Sequence, residues 1–312
     1  MDKSNVGKRS LSFSINNHPQ ALPSRGVSVA EVIYEFETEG GQTRMLALFS
    51  DITKIPEVGS LRSARIIAAD LSAGTNTIFI HYGKNARVPD FLAEYDIDHV
   101  DGNDCSKERD KSVDGKIALP AGIYFWRDSD WMDARDLEHT AVTNGENVQR
   151  AITDFEISLE GETPSLFSFN PKGSAALAKG KACNEIVVYF SSNNPDSTFT
   201  YDPATKLYMK SQYDGDKQID ETNGIQIGVT NVVVLFANIK NHGDSTIDAY
   251  LTDGGNGYYA SEGKIIPITW SKAGPKDPII LMDEKGNPID VNCGKSYINV
   301  VRNSQADKTT WS

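Results

Sequence analysis

The apolar pattern of this chain changes period part-way along, and that change limits the fold more than any single motif does. Up to about residue 160, short apolar runs alternate with helical patterns. Thr43 to Phe49 (TRMLALF) reads as a buried strand, and Thr77 to His81 (TIFIH) as another. Between them, Ser60 to Ala73 sets Leu61, Ala64, Arg65, Ala68, Ala69 and Leu71 at helical spacing behind a serine suited to the N-cap. Pro89 to Tyr95 predicts a short helix with proline near its first turn. Beyond about residue 183 almost everything is strand: Glu185–Phe190, Thr198–Tyr201, Lys206–Lys210, Asn231–Ile239, Thr246–Leu251, Gly257–Ala260, Ile265–Trp270, Ile279–Met282 and Ser296–Val301. Turn chemistry such as Asp202-Pro203 and Glu284-Lys285-Gly286-Asn287 separates them, and Gly254-Gly255-Asn256-Gly257 reads as a hairpin turn. Alternation followed by a run of strands predicts an α/β N-terminal domain and a mainly antiparallel β C-terminal domain, α+β overall. The boundaries fall at 10–165 and 183–303. The small, Gly/Pro-bearing Ser168–Gly180 lies in a linker at 166–182.

A length of 312 residues suits two domains at roughly 100–200 residues each. The formal net charge is -12, from 43 acidic and 31 basic side chains. That balance opposes generic nucleic-acid binding, which needs a basic footprint, and adhesion to an anionic membrane surface. No stretch is apolar for the roughly 18 residues that a spanning helix needs. Met1 to Lys8 carries charge with no apolar run behind it, so no signal peptide is read. Cys105, Cys183 and Cys293 form no C-x-x-C pair, which excludes a zinc knuckle. Three separate thiols, or one disulfide with a thiol left over, both fit.

The basic residues divide unevenly. Of eleven arginines ten lie in the first 150 residues, whereas thirteen of twenty lysines lie after residue 170. A guanidinium offers a planar fork suited to carboxylate or phosphate, and lysine a solvated point charge. The first half therefore holds an oxyanion, or its arginines brace its own acidic loops. Arg62 and Arg65, three apart behind Gly59 and Ser60, would share one side of a helix start, where free N–H groups cradle an anion. The other arrangement gives each arginine its own acid, and the shared site is then lost. Glu35, Glu37 and Glu39 alternate, so a strand turns all three to one side, either as a general acid or base or as a solvated face neutralised by Arg44. Phe125-Trp126-Arg127-Asp128 joins flat aromatic surface to charge, the mixture that recognises rings and sugars. His139, beside Glu138, fits a proton shuttle or a core histidine, and His81 ends the TIFIH strand where α/β sites form.

Metal and cofactor motifs are absent from the sequence. Asp101-Gly102-Asn103-Asp104 and Asp214-Gly215-Asp216 resemble calcium-loop fragments, but the glycine at position six and the acid at position twelve are missing. No Walker, H-E-x-x-H or G-x-S-x-G pattern occurs, so neither metal nor cofactor is expected.

Several stretches carry a family resemblance: Asn17-His18-Pro19-Gln20, Glu39-Gly40-Gly41, Val58 to Arg65, Phe125 to Asp128 and Glu138-His139. Tyr201-Asp202-Pro203, Asn231 to Leu235, Gly255 to Tyr258 and Trp270 continue it. With these motifs, over roughly residues 11 to 302, the chain resembles the YerB-like bacterial lipoproteins, DUF3048. The resemblance implies an exported, lipid-anchored protein of a Gram-positive cell envelope. The lipobox cysteine is absent here, so the sequence is expected to be a trimmed mature form, membrane-attached only through an anchor this chain lacks. No reaction comes with the family. Three readings follow, in this order. The first is binding of an anionic envelope ligand through Arg44, Arg62, Arg65 and Arg127, with Gly59, Ser60, His81 and Trp126 alongside. The second is an envelope protein–protein module built on the C-terminal β domain. The third is a phosphotransferase or hydrolase using Glu35, Glu39, Asp128 or His139 as acid or base. No nucleic-acid partner is expected.

Overall fold

Strict alternation in the segment LSFSIN sets its two faces against different layers, and the same period-two logic organises most of the chain. A computed structural model describes residues 5–109, 123–193, 196–213, 215–243 and 246–312. The first half forms β1 (Leu11–Asn16), β2 (Val32–Glu37), β3 (Thr43–Phe49), β4 (Glu57–Gly59), α1 (Ile66–Gly74), β5 (Ile78–His81), α2 (Val88–Glu94), β6 (His99–Asp101) and α3 (Gly102–Arg109). It continues with β7 (Phe125–Arg127), α4 (Ser129–Ala134), β8 (Ala141–Asn144) and α5 (Gly145–Asp154). Strands then dominate: β9 (Ser168–Asn170), β10 (Lys181–Ala182), β11 (Glu185–Val188), β12 (Ser197–Asp202), β13 (Leu207–Gln212), β14 (Asp216–Lys217), β15 (Gly228–Val229) and β16 (Asn231–Asn241). The last are β17 (Ile247–Tyr250), β18 (Gly255–Ser261), β19 (Lys264–Ser271), β20 (Ile280–Met282), β21 (Asp290–Asn292), β22 (Ser296–Arg302) and β23 (Thr310–Trp311). The fold is α+β, with a sheet-rich second half.

The main sheet runs β10-β19-β18-β16-β22-β2-β3-β1-β5-β6, with β17 on β16 and β20 on β19. A second sheet, β14-β13-β12-β11-β23 with β15 on β13, and a small one, β4-β8-β7, accompany it. One face of the main sheet turns Phe13, Ile15, Ile33, Val232 and Val234 toward Phe199 and Tyr208 of the second sheet and Val148 and Ile152 of α5. The other face packs Tyr34, Phe36, Val233 and Leu235 with Ile67, Ala68 and Leu71 of α1 and Leu92 of α2. Each large apolar side chain buried in these layers adds about 1.5–3 kcal/mol.

The division near residue 170 is not a division of the sheet. β22 lies between β2 and β16 and is parallel to both, with Val32 opposite Ser296 and Phe36 opposite Val300. Nor is 166–182 a plain linker: β9 pairs with β21 and β10 with β19. Phe167 and Leu177 are buried and anchor this small-residue stretch. The Gly254–Gly257 run also differs from the expected hairpin turn. A 3-10 turn at Leu251–Asp253 and Gly254 at φ +64° reverse the chain, and Gly255 and Gly257 sit inside β18. A Cβ on Gly257 would lie 2.1 Å from the Val234 carbonyl oxygen, so close strand approach explains the glycine. None of the three cysteines is in a disulfide.

Candidate functional site at the carboxyl edge

The register makes β1, β2, β5, β6, β16 and β22 all run the same way. Their carboxyl ends share one edge, the edge at which α/β sheets hold ligands. The segment after β4 crosses that edge in extended form. Leu61 donates to the Ala141 carbonyl (2.7 Å), Arg62 to Ser14 (2.9 Å) and Ala64 to Gly83 (2.8 Å). These tertiary partners displace the helix expected from Ser60: α1 begins only at Ile66, with Arg65 at its N-cap position. Arg62 and Arg65 therefore do not share a helix face. Gly59 and Ser60 are packing residues: Ser60 is wholly buried, and a Cβ on Gly59 would meet Val142 Cγ1 at 2.5 Å.

Three guanidiniums nevertheless gather around Ser63. Arg44 and Arg65 both donate to its carbonyl oxygen. Burial, then the charges of Arg65 and Arg62, hold the Arg44 guanidinium well below its usual pKa. Arg65 Nε meets both Glu39 oxygens (2.7 and 2.6 Å), and Arg62 Nη2 meets Glu138 Oε1 at 2.8 Å. Arg44 has no ion-pair partner among the described residues. Beside this cluster the rings of His18 and His139 stack at 4.9 Å. Asn16 Oδ1 accepts from the His18 N–H, so its Nδ2 donates to His139 Nδ1 at 2.7 Å. The His139 proton then sits on Nε2, which faces Glu138 Oε1 at 3.6 Å. Burial, and after it the Arg62 charge, lower both imidazole pKa values and keep the pair neutral.

Next to the cluster a cleft of 370 Å³ opens between Arg62, Ser63, Tyr82, Lys84 and Arg127, with Asp104 and Glu138 also lining it. Arg127 stacks on the Tyr82 ring at 4.5 Å and donates to the Leu137 carbonyl. Burial opposes the Lys84 ammonium, but its hydrogen bonds to Asp101 and Asp104 outweigh that and raise its pKa. Behind it Asp101 accepts from the N–H groups of Gly83 (2.7 Å) and Asn103 (2.9 Å). The suspected calcium-loop fragment thus has a lysine between its acids, and Asp214 of the other lies outside the described residues. Among the described residues no group of His, Cys, Asp or Glu is arranged to hold a metal ion. His81 is sealed beneath the cleft, bonded to the Gly83 carbonyl (2.8 Å) and His99 (3.1 Å), and burial keeps it neutral down to about 4.

The remaining candidates lie elsewhere. Glu35 and Glu37 share the inner side of β2, whereas Glu39 lies in the following 3-10 turn, so the three carboxylates do not form one solvated face. Arg302 neutralises Glu37, and Arg65, not Arg44, neutralises Glu39. Glu35 is wholly buried between the two larger sheets. Its Oε1 accepts from Asn17 (2.9 Å) and Thr43 (2.8 Å), and its Oε2 from Ser197 (2.9 Å) and Tyr297 (2.8 Å), with Lys210 Nζ at 3.5 Å. Asp128 pairs with Arg25 at 2.6 Å and caps α4 through the Trp131 N–H. Trp126 is half-buried on β7 and does not line the cleft. Sequence reasoning had passed over Tyr82, Lys84 and Lys210. The first two directly follow a strand's carboxyl end, and Lys210 falls in the buried phase of an alternating strand with Tyr208 and Gln212.

Residues 1–158 match the N-terminal domain of DUF3048 and residues 186–298 its C-terminal domain, both described as protein of unknown function. The chain belongs to the DUF3048 family. It is 29% identical over 300 residues to "Putative lipoprotein YerB" of Bacillus subtilis (strain 168), covering 94% of this chain and 81% of that one. It is also similar to the crystal structure of the YerB protein from Bacillus subtilis, with a TM-score of 0.82 and 26% identity over 100% of this chain and 96% of that one. Within this DUF3048 protein, every residue named at the cleft comes from the N-terminal match. The buried Glu35–Lys210 pair joins one match to the other.

Proposed function

We propose that this DUF3048 protein is an extracytoplasmic, lipid-anchored protein that binds an anionic cell-envelope ligand in the carboxyl-edge cleft. The name of its YerB relative supports the compartment. The observation that carries the binding reading is the convergence of Arg62, Lys84 and Arg127 on one polar cleft. Arg44 lies beside it as a buried guanidinium with no ion-pair partner among the described residues. Arg127 donates to a carbonyl and stacks on Tyr82, which leaves a charge and a ring edge for a phosphorylated or carboxylated sugar. Arg62 and Arg65 each hold an acid of their own, so the anion cradle they were expected to share is lost. The ligand is placed instead by the lining of the cleft, which includes Arg62, Lys84 and Arg127 but neither Arg44 nor Arg65.

The four residues considered for acid or base work do not line the cleft. Glu35 and His139 are buried, Glu39 is clamped by Arg65 and Asp128 by Arg25. This geometry favours binding over phosphotransfer or hydrolysis. A protein–protein role for the C-terminal segment has weaker support: of its exposed apolar side chains, Ile225 lies in the loop before β15, Tyr250 ends β17 and Ile280 begins β20.

Isothermal titration with glycerol 3-phosphate, a sugar 1-phosphate and a muramyl peptide tests the reading. At least one binds, and Arg62→Ala/Arg127→Ala lowers its affinity at least about tenfold with the melting temperature unchanged. Absence of binding by all three, or equal affinity in the double variant, would overturn it.

A further inference from the structure

A larger cleft lies at the opposite, amino edge of the sheet, and the carboxyl-edge reading makes no use of it. It has a volume of 790 Å³, within the range of about 300–1,000 Å³ of small-molecule pockets. Its walls come from the amino ends of the parallel strands: Ser10 precedes β1, Val32 begins β2, and Gly294 and Lys295 precede β22. Val6, Leu48, Leu166 and Phe169 add apolar surface. Two of these rings and chains are open to water in the free protein: Val6 is 75% exposed and Phe169 40%. Apolar side chains grouped around a concave site, rather than scattered singly, mark a place where something apolar is received.

The polar groups at this cleft are few and unequal. Glu31 is already held by the Ser50 N–H (3.0 Å) and hydroxyl (2.8 Å). Lys295 differs. Its ammonium carries three donors and bonds to the Ser28 carbonyl, and the other two N–H groups have no acceptor among the described residues. Burial lowers its pKa, and the charges of Glu31 and Asp220 offset this only in part. Lys8 and Glu162 complete the charged lining and balance each other. The four charges of the lining, Lys8 and Lys295 against Glu31 and Glu162, cancel, so a single negative charge is accommodated at the Lys295 donors only, and a dianion would face Glu31 and Glu162.

From this geometry we infer that the amino-edge cleft binds a long-chain carboxylate, its tail among Val6, Val32, Leu166 and Phe169 and its head on Lys295. The carboxylate supplies the acceptor that Lys295 lacks, and the tail covers the apolar side chains that water now touches.

The test uses the full chain and a dansyl-labelled undecanoic acid, followed by the blue shift of its emission. Saturable one-to-one binding is expected, with hexadecanoate displacing the probe better than hexadecan-1-ol does. Phe169→Asp and Val6→Asp each weaken binding at least about tenfold, and Val6 is exposed enough that its replacement keeps the fold. Lys295→Met removes the preference for carboxylate over alcohol and leaves the alcohol's affinity unchanged. Arg62→Ala/Arg127→Ala binds the probe like the parent, which separates this site from the carboxyl-edge one. Lack of saturation, affinity unchanged in both aspartate variants, or a carboxylate preference that survives Lys295→Met would overturn the inference.

Discussion

The sealed Glu35–Lys210 pair permits a quantitative prediction. Both side chains are wholly buried between the two larger sheets, Glu35 on β2 and Lys210 on β13. Lys210 Nζ donates to Ser197 Oγ (3.0 Å) and Gln212 Oε1 (2.9 Å), with Glu35 Oε2 at 3.5 Å. Glu35→Gln leaves that ammonium buried with two neutral acceptors and no anion. Breaking a buried pair in this way costs about 3–5 kcal/mol, a large share of the roughly 5–15 kcal/mol that holds a native protein together. Lys210→Met is expected to cost about the same, by leaving the Glu35 carboxylate without a cation. The double variant differs in kind. With both charges gone, a glutamine oxygen still accepts from Asn17 and Thr43, and its amide donates to the hydroxyls of Ser197 and Tyr297, which can turn to accept. Glu35→Gln/Lys210→Met is therefore less destabilised than the sum of the single variants, by about 2–3 kcal/mol. Urea unfolding of the four proteins, read by tryptophan fluorescence, measures the cycle. Additive single effects, or a Glu35→Gln cost under about 1 kcal/mol, would refute the claim that the buried charges depend on each other.

Acid should loosen the carboxyl edge before it protonates the carboxylates. His81 is neutral in the folded protein down to about 4, whereas an unfolded histidine takes a proton near 6.5. The folded state thus binds fewer protons in that window, so the contribution of His81 is complete above 6.5 and falls away by about 3 kcal/mol as the pH drops to about 4. The Asp101 and Lys84 charges beside it oppose each other, and His18, His99 and His139 shift the same way as His81. Urea midpoints between pH 7 and pH 4.5 check this, and His81→Gln flattens the profile. In β18, Gly257→Ala drives a methyl into the Val234 carbonyl, a backbone contact that no rotamer relieves, and the loss lies at the upper end of about 1–3 kcal/mol by the same assay.

Period-two patterning made most strands legible. Asn231 to Ile239, Ile265 to Trp270 and Ser296 to Val301 all read as strands, and β16, β19 and β22 cover them. What the pattern could not convey was which strands become neighbours. β2 and β22 look like members of separate sheets because partner choice depends on side-chain layers far apart in sequence. The helix start failed for a related reason. Ser60 has the chemistry of an N-cap, but Ser14, Gly83 and Ala141 offer acceptors to the donors that follow it, and local propensity yields to them. At the site, Arg62 and Arg127 were visible by composition and motif. Lys84 was not, since a single lysine after a strand resembles any solvated turn until Asp101 and Asp104 are seen around it. Glu35 attracted notice as an acid, yet its burial follows from Tyr297 and Lys210, residues that nothing near position 35 announces.

The central position of β22 also sets a timetable. β2 needs a strand that begins some 260 residues later, and β16 needs the same one. β3 pairs with one side of β2 as soon as it is made, but at roughly 5–20 residues per second the other side stays open for about 13–50 s before β22 exists. For that interval Val32, Ile33 and Tyr34 present an open edge to any other strand nearby. Assembly of the sheet is therefore a late event that waits for the C-terminus, and of the whole sequence it is the last few dozen residues whose loss most exposes newly made chains to aggregation and proteolysis.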